Sequence, residues 1–360
     1  PKARPNVNQS KMSPSEGSVK ELDDKFLDLI GKFVSDIRNG KLRGSNNIAL
    51  AMVTLLETII TDSQNATAFE LCGAVRAVGR RVSAALPYEL VPANVARRVL
   101  RAIRDENRAN TNQSVEGSGE SLQRLVLAAG ARRATLGAAG HDLREPLRDH
   151  IAELRGELES SISSICGQAR EHVHGDELIL TYGASALAER FLKAAAPRKY
   201  KLILAEGPNQ SHAMANRLSL AGVPVTVISS ACIYAVMSRV NKVVVSVKAA
   251  LGGGGAVLAA AGLHAVTQAA RHYSVPVLAL APLYKLCPIH AMDASQFNGA
   301  TAPHTALAYD ASENVHVFAP LYVFAPPDHI TLFITNLGGS SPSYVYRMLS
   351  ELYDPNDYTL

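Results

Sequence analysis

Two patterns of apolar residues divide the chain. From residue 18 to about 165, apolar side chains recur at helical spacing, as in Leu22, Phe26, Leu29, Ile30 and Phe33 and again in Leu50, Val53, Leu56, Ile59 and Ile60. Such spacing lines one face of each helix with side chains for a shared core. It predicts a helical domain over residues 18–168, preceded by a tail at 1–17. Residues 107–121, NRANTNQSVEGSGES, are polar and contain glycine, and so predict an exposed loop between helices. Helices resume around Leu122, and a long one is expected over about 143–171.

From Asp176 onward the pattern changes to short apolar runs alternating with helical segments. The runs are ELILTYG, KLILAEG, PVTVISS, KVVVSVK, PVLALAP and ITLFITN, each leading into a loop. Strands covered on both faces lose the polar alternation of a half-exposed sheet, as these runs do. Helices over 185–195, 210–221 and 257–273 fill the intervals. The expected fold class is therefore α/β: a helical N-terminal domain followed, over 169–360, by an open, mostly parallel sheet flanked by helices. In such sheets ligands bind beyond the C-terminal strand ends.

Composition agrees with this division. The 360 residues are 47% hydrophobic and 19% charged, enough to bury a large core in two domains. The opening PKARPNVNQSKMSPSEG has no apolar core, and no run reaches the roughly 18 apolar residues of a membrane span. The cytosol is the expected compartment, with no membrane partner. Cys72, Cys166, Cys232 and Cys287 are scattered and unpaired in spacing, which suits reduced thiols and gives no zinc motif. The net charge of +4 is too small to argue for direct nucleic-acid binding. Its distribution is uneven: residues 1–150 carry 22 Lys and Arg against 17 Asp and Glu, and the remainder 14 against 15.

Chemistry is expected at the strand ends. After the first strand, Tyr182, Gly183 and Ser185 form a turn and helix start that offers backbone amides to a phosphate; equally, it is a tight turn with Ser185 as a cap. Glu206 follows the second strand as a cleft carboxylate. Lys248 and the run Gly252, Gly253, Gly254, Gly255 follow the fourth, compatible with an anion cradle and with a plain flexible loop. GGGGAVL lacks the GK[ST] ending of a phosphate loop. No serine or cysteine nucleophile has an assignable base, and His172 with His174 suits a cap or core role better than a metal. In the helical half, Arg97, Arg101, Arg104 and Arg108 recur at helical spacing, with Arg76, Arg80 and Arg81 upstream. Such a stripe suits an acidic or phosphorylated protein surface, or simply a solvated face.

Several segments carry a resemblance. VARRVLRAIRDE (95–106), AREHVHGDE (169–177), AVMSRVNKVVVSVKAAL (235–251), APLYKLCP (281–288), APPDHITLFITNLGG (325–339) and SPSYVYRMLSELYDPNDY (341–358) are similar to the regulatory alpha/beta/delta subunit family of translation initiation factor 2B, and the last to its beta branch. The resemblance implies a Rossmann-like second domain shared with methylthioribose-1-phosphate and ribose-1,5-bisphosphate isomerases. Those enzymes use a cysteine at the first strand end and an aspartate after the fourth. Matching the motifs puts Tyr182 and Lys248 at those positions, and neither residue substitutes for the missing group.

The family thus implies a non-catalytic role, with no catalytic residues, metal or cofactor, in the guanine nucleotide exchange factor for initiation factor 2. The implied partners are the alpha, gamma, delta and epsilon subunits of a two-fold symmetric decamer, and the alpha subunit of initiation factor 2, phosphorylated or not. Strand edges near Asp176, Leu178, Lys201 and Ile203 are expected to approach delta. Tyr344, Tyr346 and Tyr353 are expected in the subunit core or interface, and Glu153, on the long helix, to face initiation factor 2. A sugar-phosphate-binding sensor or isomerase homologue is the alternative, kept open by Lys248 and the glycine run.

Overall fold

The computed structural model describes residues 24–63, 67–113, 144–207, 211–252, 254–293, 295–310 and 314–360. The tail at 1–17, the helix expected from Leu122 and Gly253 lie outside the described residues.

Five helices build the first part: α1 (Asp24–Arg38), α2 (Ser45–Asp62), α3 (Ala68–Ala85), α4 (Leu90–Gln113) and α5 (Arg144–Gly167). On α1 the buried residues are Phe26, Ile30, Phe33 and Val34, one face at helical spacing. The central α2 buries Ile48, Met52, Val53, Leu56, Ile59 and Ile60, and packs against α4 and α5. A capping box starts α3: the Glu70 amide donates to Thr67 Oγ1 at 3.3 Å and the Thr67 amide to Glu70 Oε2 at 3.0 Å. Contrary to the expected loop over 107–121, α4 continues to Gln113; the remaining residues of that segment lie outside the described ones. Polar residues such as Asn and Thr lower helix propensity by only a few tenths of a kcal/mol each, too little to stop a helix already docked by its preceding turns.

The expected long helix ends at Gly167 and is followed by a separate turn, α6 (Ala169–His172). Leu147, Ile151, Leu154 and Leu158 of α5 lie in the core of the helical part, whereas Ile165 lies in a core of the sheet. One helix therefore belongs to both.

The sheet holds seven strands in the order β11-β10-β7-β4-β1-β2-β3, with β1 (Leu178–Tyr182), β2 (Lys201–Ala205), β3 (Val225–Ile228), β4 (Lys242–Ser246), β7 (Val277–Leu280), β10 (Leu332–Thr335) and β11 (Gly338–Ser340). All pairs are parallel except β10 with β11. Each of the six apolar runs is one parallel strand. Successive residues of β4 show why: Val243 and Val245 pack on one face of the sheet and Val244 on the other. Helices α7 (Ala186–Ala195), α8 (His212–Leu220), α9 (Ile233–Met237) and α10 (Leu263–His272) cover the faces, and α11 (Val345–Leu352) follows the last strand.

Two expectations are corrected. The segment 257–273 is not one helix: it begins as β6 (Ala256–Ala260), and only then does α10 start. That strand belongs to a second sheet of order β8-β5-β6-β9, with β5 (Ala249–Leu251), β8 (Leu286–Cys287) and β9 (Tyr322–Ala325). Strand β6 reads AVLAA and is buried almost throughout, so neither alternation nor β-branching separates it from the helix behind it. The strands β1 and β2 are also not edges, since both have a neighbour on each side; the edges are β3 and β11.

Phe333, on β10 beside the edge strand β11, is wholly buried in the core on one face of the main sheet. Phe333→Ala should destabilise the protein by about 3–5 kcal/mol through lost burial and the cavity left behind. The measurement is the urea midpoint followed by circular dichroism.

Candidate functional site

Strand order locates the site. Beside β1 the chain runs outward through β2 and β3 on one side and through β4, β7 and β10 on the other, so the order reverses between β1 and β4. The crevice beyond the carboxyl ends of those two strands is where open α/β sheets take ligands. Tyr182 ends β1, and Lys248 follows the end of β4 by two residues. The second sheet begins immediately afterwards, with β5.

Tyr182 fills the space it borders. Its hydroxyl donates to the carbonyl of Ala261 at 2.5 Å. A Cβ at Gly262 would overlap that hydroxyl and lie 2.7 Å from Tyr182 Cζ; Gly262 is the N-cap of α10 and holds φ at 95°. Glycine is needed there both for the left-handed backbone and for the phenol's approach. Burial pushes the Tyr182 phenol above its ordinary value, so it stays protonated at neutral pH. Next to it, Gly183 has φ 64° and donates its amide to Ala205 at 2.9 Å. A Cβ at Gly207 would meet Gly183 Cα at 2.8 Å, so the loops after β1 and β2 touch backbone to backbone. Ser185 is the N-cap of α7, its Oγ accepting from the Ala188 amide at 3.4 Å. Glu206 pairs with His212, 3.3 Å from Nε2.

Gly252, Gly254 and Gly255 lie between β5 and β6. The Gly252 amide donates to Cys287 at 2.8 Å and to Ile289 at 3.1 Å, so this amide is directed into the second sheet and not toward an anion. Gly254 and Gly255 hold φ at 104° and 83°. A Cβ at Gly255 would sit 2.9 Å from Pro342 O.

Lys248 is turned to the helical part of the molecule, where it forms an ion pair with Glu89, just before α4. Its Nζ also lies 5.4 Å from the centroid of the Tyr322 ring. Behind it, the fully buried Lys285 donates to Val247 O at 2.7 Å. Burial, reinforced by the Lys248 cation and opposed by Glu89, lowers the Lys285 amine from 10.5 to about 7. Neither Glu89 nor Lys285 was singled out from the sequence. The signal for Lys285 was available, as the lone charge within the apolar run APLYKLC.

Asp176 and Lys201 are exposed, and Leu178 half-buried, where β1 and β2 begin; the Leu178 amide donates to Asn241 Oδ1 at 2.9 Å. Ile203 is corrected: at 4% exposure on an interior strand it belongs to the chain's own core. So does Tyr353, which is fully buried with its hydroxyl on Leu286 O at 2.7 Å, while Tyr344 and Tyr346 are 41% and 67% exposed. Glu153 projects from α5 with 83% of its side chain exposed. His172 accepts a Lys242 hydrogen bond on its carbonyl at 2.6 Å, and the His174 amide donates to Glu177 at 3.0 Å. The arginine stripe on α4 is only partly solvated: Arg101 and Arg108 remain partly exposed, whereas Asp354 and Asp357 of the same chain pair with Arg108 and Arg104. Among the described residues no group of three or more His, Cys, Asp or Glu is placed to hold a metal, and no helix is long and apolar enough to cross a membrane.

Two outcomes follow from this geometry. Gly262→Ala should destabilise the fold by at least about 2 kcal/mol, from strained φ and overlap with Tyr182. Adding Tyr182→Ala should recover part of the loss in a thermal-melt comparison. For Lys285, the unfolded chain holds a proton between about pH 7 and 10.5 that the folded chain lacks, so stability rises with pH across that window and is flat below it. Lys285→Met should remove that rise in urea midpoints measured from pH 6 to 10.

Comparison with known proteins accords with this architecture. A model of the Initiation factor 2 subunit family matches residues 41–342. The translation initiation factor eIF2B subunit beta of Schizosaccharomyces pombe is 34% identical, covering 92% of this chain and 97% of its own length. The ribose 1,5-bisphosphate isomerase of Haloferax volcanii is 25% identical, covering 92% of this chain and 95% of its own. Among solved structures, a chain of the tetrameric eIF2B-beta2-delta2 complex from C. thermophilum matches with a TM-score of 0.69 at 25% identity, covering 92% of this chain and 100% of that one. With the family model spanning most of its length, the chain belongs to the Initiation factor 2 subunit family.

Proposed function

We propose that this chain is a beta-type regulatory subunit of the guanine nucleotide exchange factor for translation initiation factor 2, and that it works by binding and assembly. The observation that carries this reading is the state of the strand-end crevice. Tyr182 fills it, hydrogen-bonded to Ala261, and Lys248 is held by Glu89 as a joint between the two parts of the chain. An isomerase of this fold moves a proton with a thiol and a carboxylate. A half-buried, protonated phenol and a paired ammonium supply neither a nucleophile nor a base. The overall likeness to the S. pombe beta subunit supports the same role.

On this reading the partners are the alpha, gamma, delta and epsilon subunits, and the alpha subunit of initiation factor 2 in both phosphorylation states. Tyr344 and Tyr346 are the aromatic anchors offered to a neighbouring subunit, being large, exposed and on one short segment. Asp176, Leu178 and Lys201 add a polar border where β1 and β2 begin. Glu153, largely exposed and 3.7 Å from His150 on the same helix, is the contact for initiation factor 2.

The isomerase relative sustains one other reading, a subunit that binds a sugar phosphate without converting it. The two separate in one preparation. Native mass spectrometry of the tagged chain from its own cells should give complexes with four other subunit types, each in two copies. Recovery as a lone homodimer would overturn the proposal, and calorimetry with a ribose phosphate would then test the alternative.

A further inference from the structure

The stripe on α4 is an acceptor for part of its own chain. After α11, residues 353–360 leave the sheet and cross onto α3 and α4. Tyr353 anchors the near end in the core of the sheet. Asp354 receives Arg108 Nη2 at 3.0 Å and, through Oδ1, the Asn356 amide at 3.0 Å, which shapes the turn. Asp357 is fully buried between two helices. Arg104 grips it through Nε at 2.8 Å and Nη2 at 3.0 Å, and Arg76 of α3 donates to it through Nε at 3.1 Å. Arg97, only 3% exposed, takes the backbone: Nε donates to the Asp357 carbonyl at 3.2 Å and Nη2 to that of Tyr358 at 3.1 Å. Leu360 lies against the helical core, where a Cβ on Gly79 would come within 3.0 Å of it.

These contacts differ in kind from the rest of the joint. Helix α5 is continuous through both parts, and the Lys248–Glu89 pair and the Asn94–Tyr284 hydrogen bond join them again near the start of α4, which leaves the middle and far end of α4 to be held against rotation. The segment 353–360 crosses to the two helices α3 and α4, so it resists that rotation. A bidentate guanidinium–carboxylate pair fixes direction as well as distance, and burial shields it from salt. Removing one member leaves guanidinium groups buried without their counter-charge, so the segment has a seated state and a released state and little between.

We infer that residues 353–360 are a strap, latched at Asp357 by Arg76, Arg97 and Arg104, whose seating sets the orientation of the helical part on the sheet. Released, the strap frees the two parts to turn about α5 while each remains folded. The strap does not depend on the proposed exchange-factor role.

The test is made on the full chain with exposed Cys232 and half-buried Cys166 replaced by serine. Spin labels go at Phe69→Cys on α3 and Leu220→Cys on α8, both exposed positions. Double electron–electron resonance should give one narrow distance distribution for the parent. Asp357→Asn should broaden it or add a second distance, with unchanged far-ultraviolet circular dichroism, and Asp357→Glu should restore part of the narrow population. An equally narrow distribution in folded Asp357→Asn overturns the strap. Should that variant fail to fold, Asp354→Asn is read by hydrogen exchange. At least tenfold faster exchange at the Tyr353 and Asp357 amides with β1 unchanged supports the strap. No change, or uniform acceleration throughout, overturns it.

Discussion

The buried carboxylate of Asp357 is the constraint on which the arrangement of this molecule turns. It is fully excluded from solvent yet accepts from guanidinium groups on α3 and α4, and its own backbone carbonyl accepts from a third arginine. A buried ion pair of this kind is a poor source of stability but a good source of definition, because the desolvated partners tolerate only one arrangement. The apolar cores on either side are less particular: an aliphatic surface packs acceptably at several angles, whereas Arg104 in a fork on Asp357 does not. The same helix carries Asn94, whose side-chain amide donates to Tyr284 O at 3.0 Å, and Arg101, which reaches Ser350 O at 3.0 Å. The polar face of α4 is thus a row of contacts to the sheet side of the chain, with its apolar face in the helical core.

The strand-end crevice shows the complementary change. An open sheet with its order reversing between β1 and β4 has a natural ligand position there. In this chain the position is bridged from both sides: the Tyr182 phenol closes it against the N-terminus of α10, and Lys248 leaves it to meet Glu89. Lys285 sits behind, donating to Val247 O, with its amine lowered toward neutrality by burial. Chemistry at such a site needs groups that change partners during turnover. Here each of the three is held by a bond that joins one element to another, and Lys248 in particular joins the sheet to the helices.

How much of this was legible in the sequence depends on the range of the interaction. The six apolar runs announced six parallel strands because each is covered on both faces, and the helical spacing of Phe26, Ile30 and Phe33 announced α1. The second sheet was hidden because β6 is alanine-rich and runs on into α10 with no change of polarity. Strand order is not written in any one strand, so β1 and β2 looked as free to be edges as β3, and Ile203 was misplaced accordingly. The arginine stripe was plain, but its partner lies some 250 residues away, and nothing local distinguishes YDPNDY from an exposed polar end. Glu89 was equally silent, being one acid in a proline-flanked turn.

On the proposed reading as an assembly subunit, the crevice and the latch act in the same direction. An enzyme that closes around its substrate needs parts that can move. A subunit that must present a fixed surface to neighbours has the opposite requirement, since each degree of freedom left in the free chain is lost on association and weakens it. Tyr182 in the crevice, Lys248 on Glu89 and Asp357 among the arginines each remove such a freedom before any partner arrives. Tyr344 at the start of α11, Tyr346 on it and Glu153 on α5 are exposed, on elements whose buried faces are locked into those same cores. On that reading, rigidity at the strand ends and recognition at the surface are one requirement.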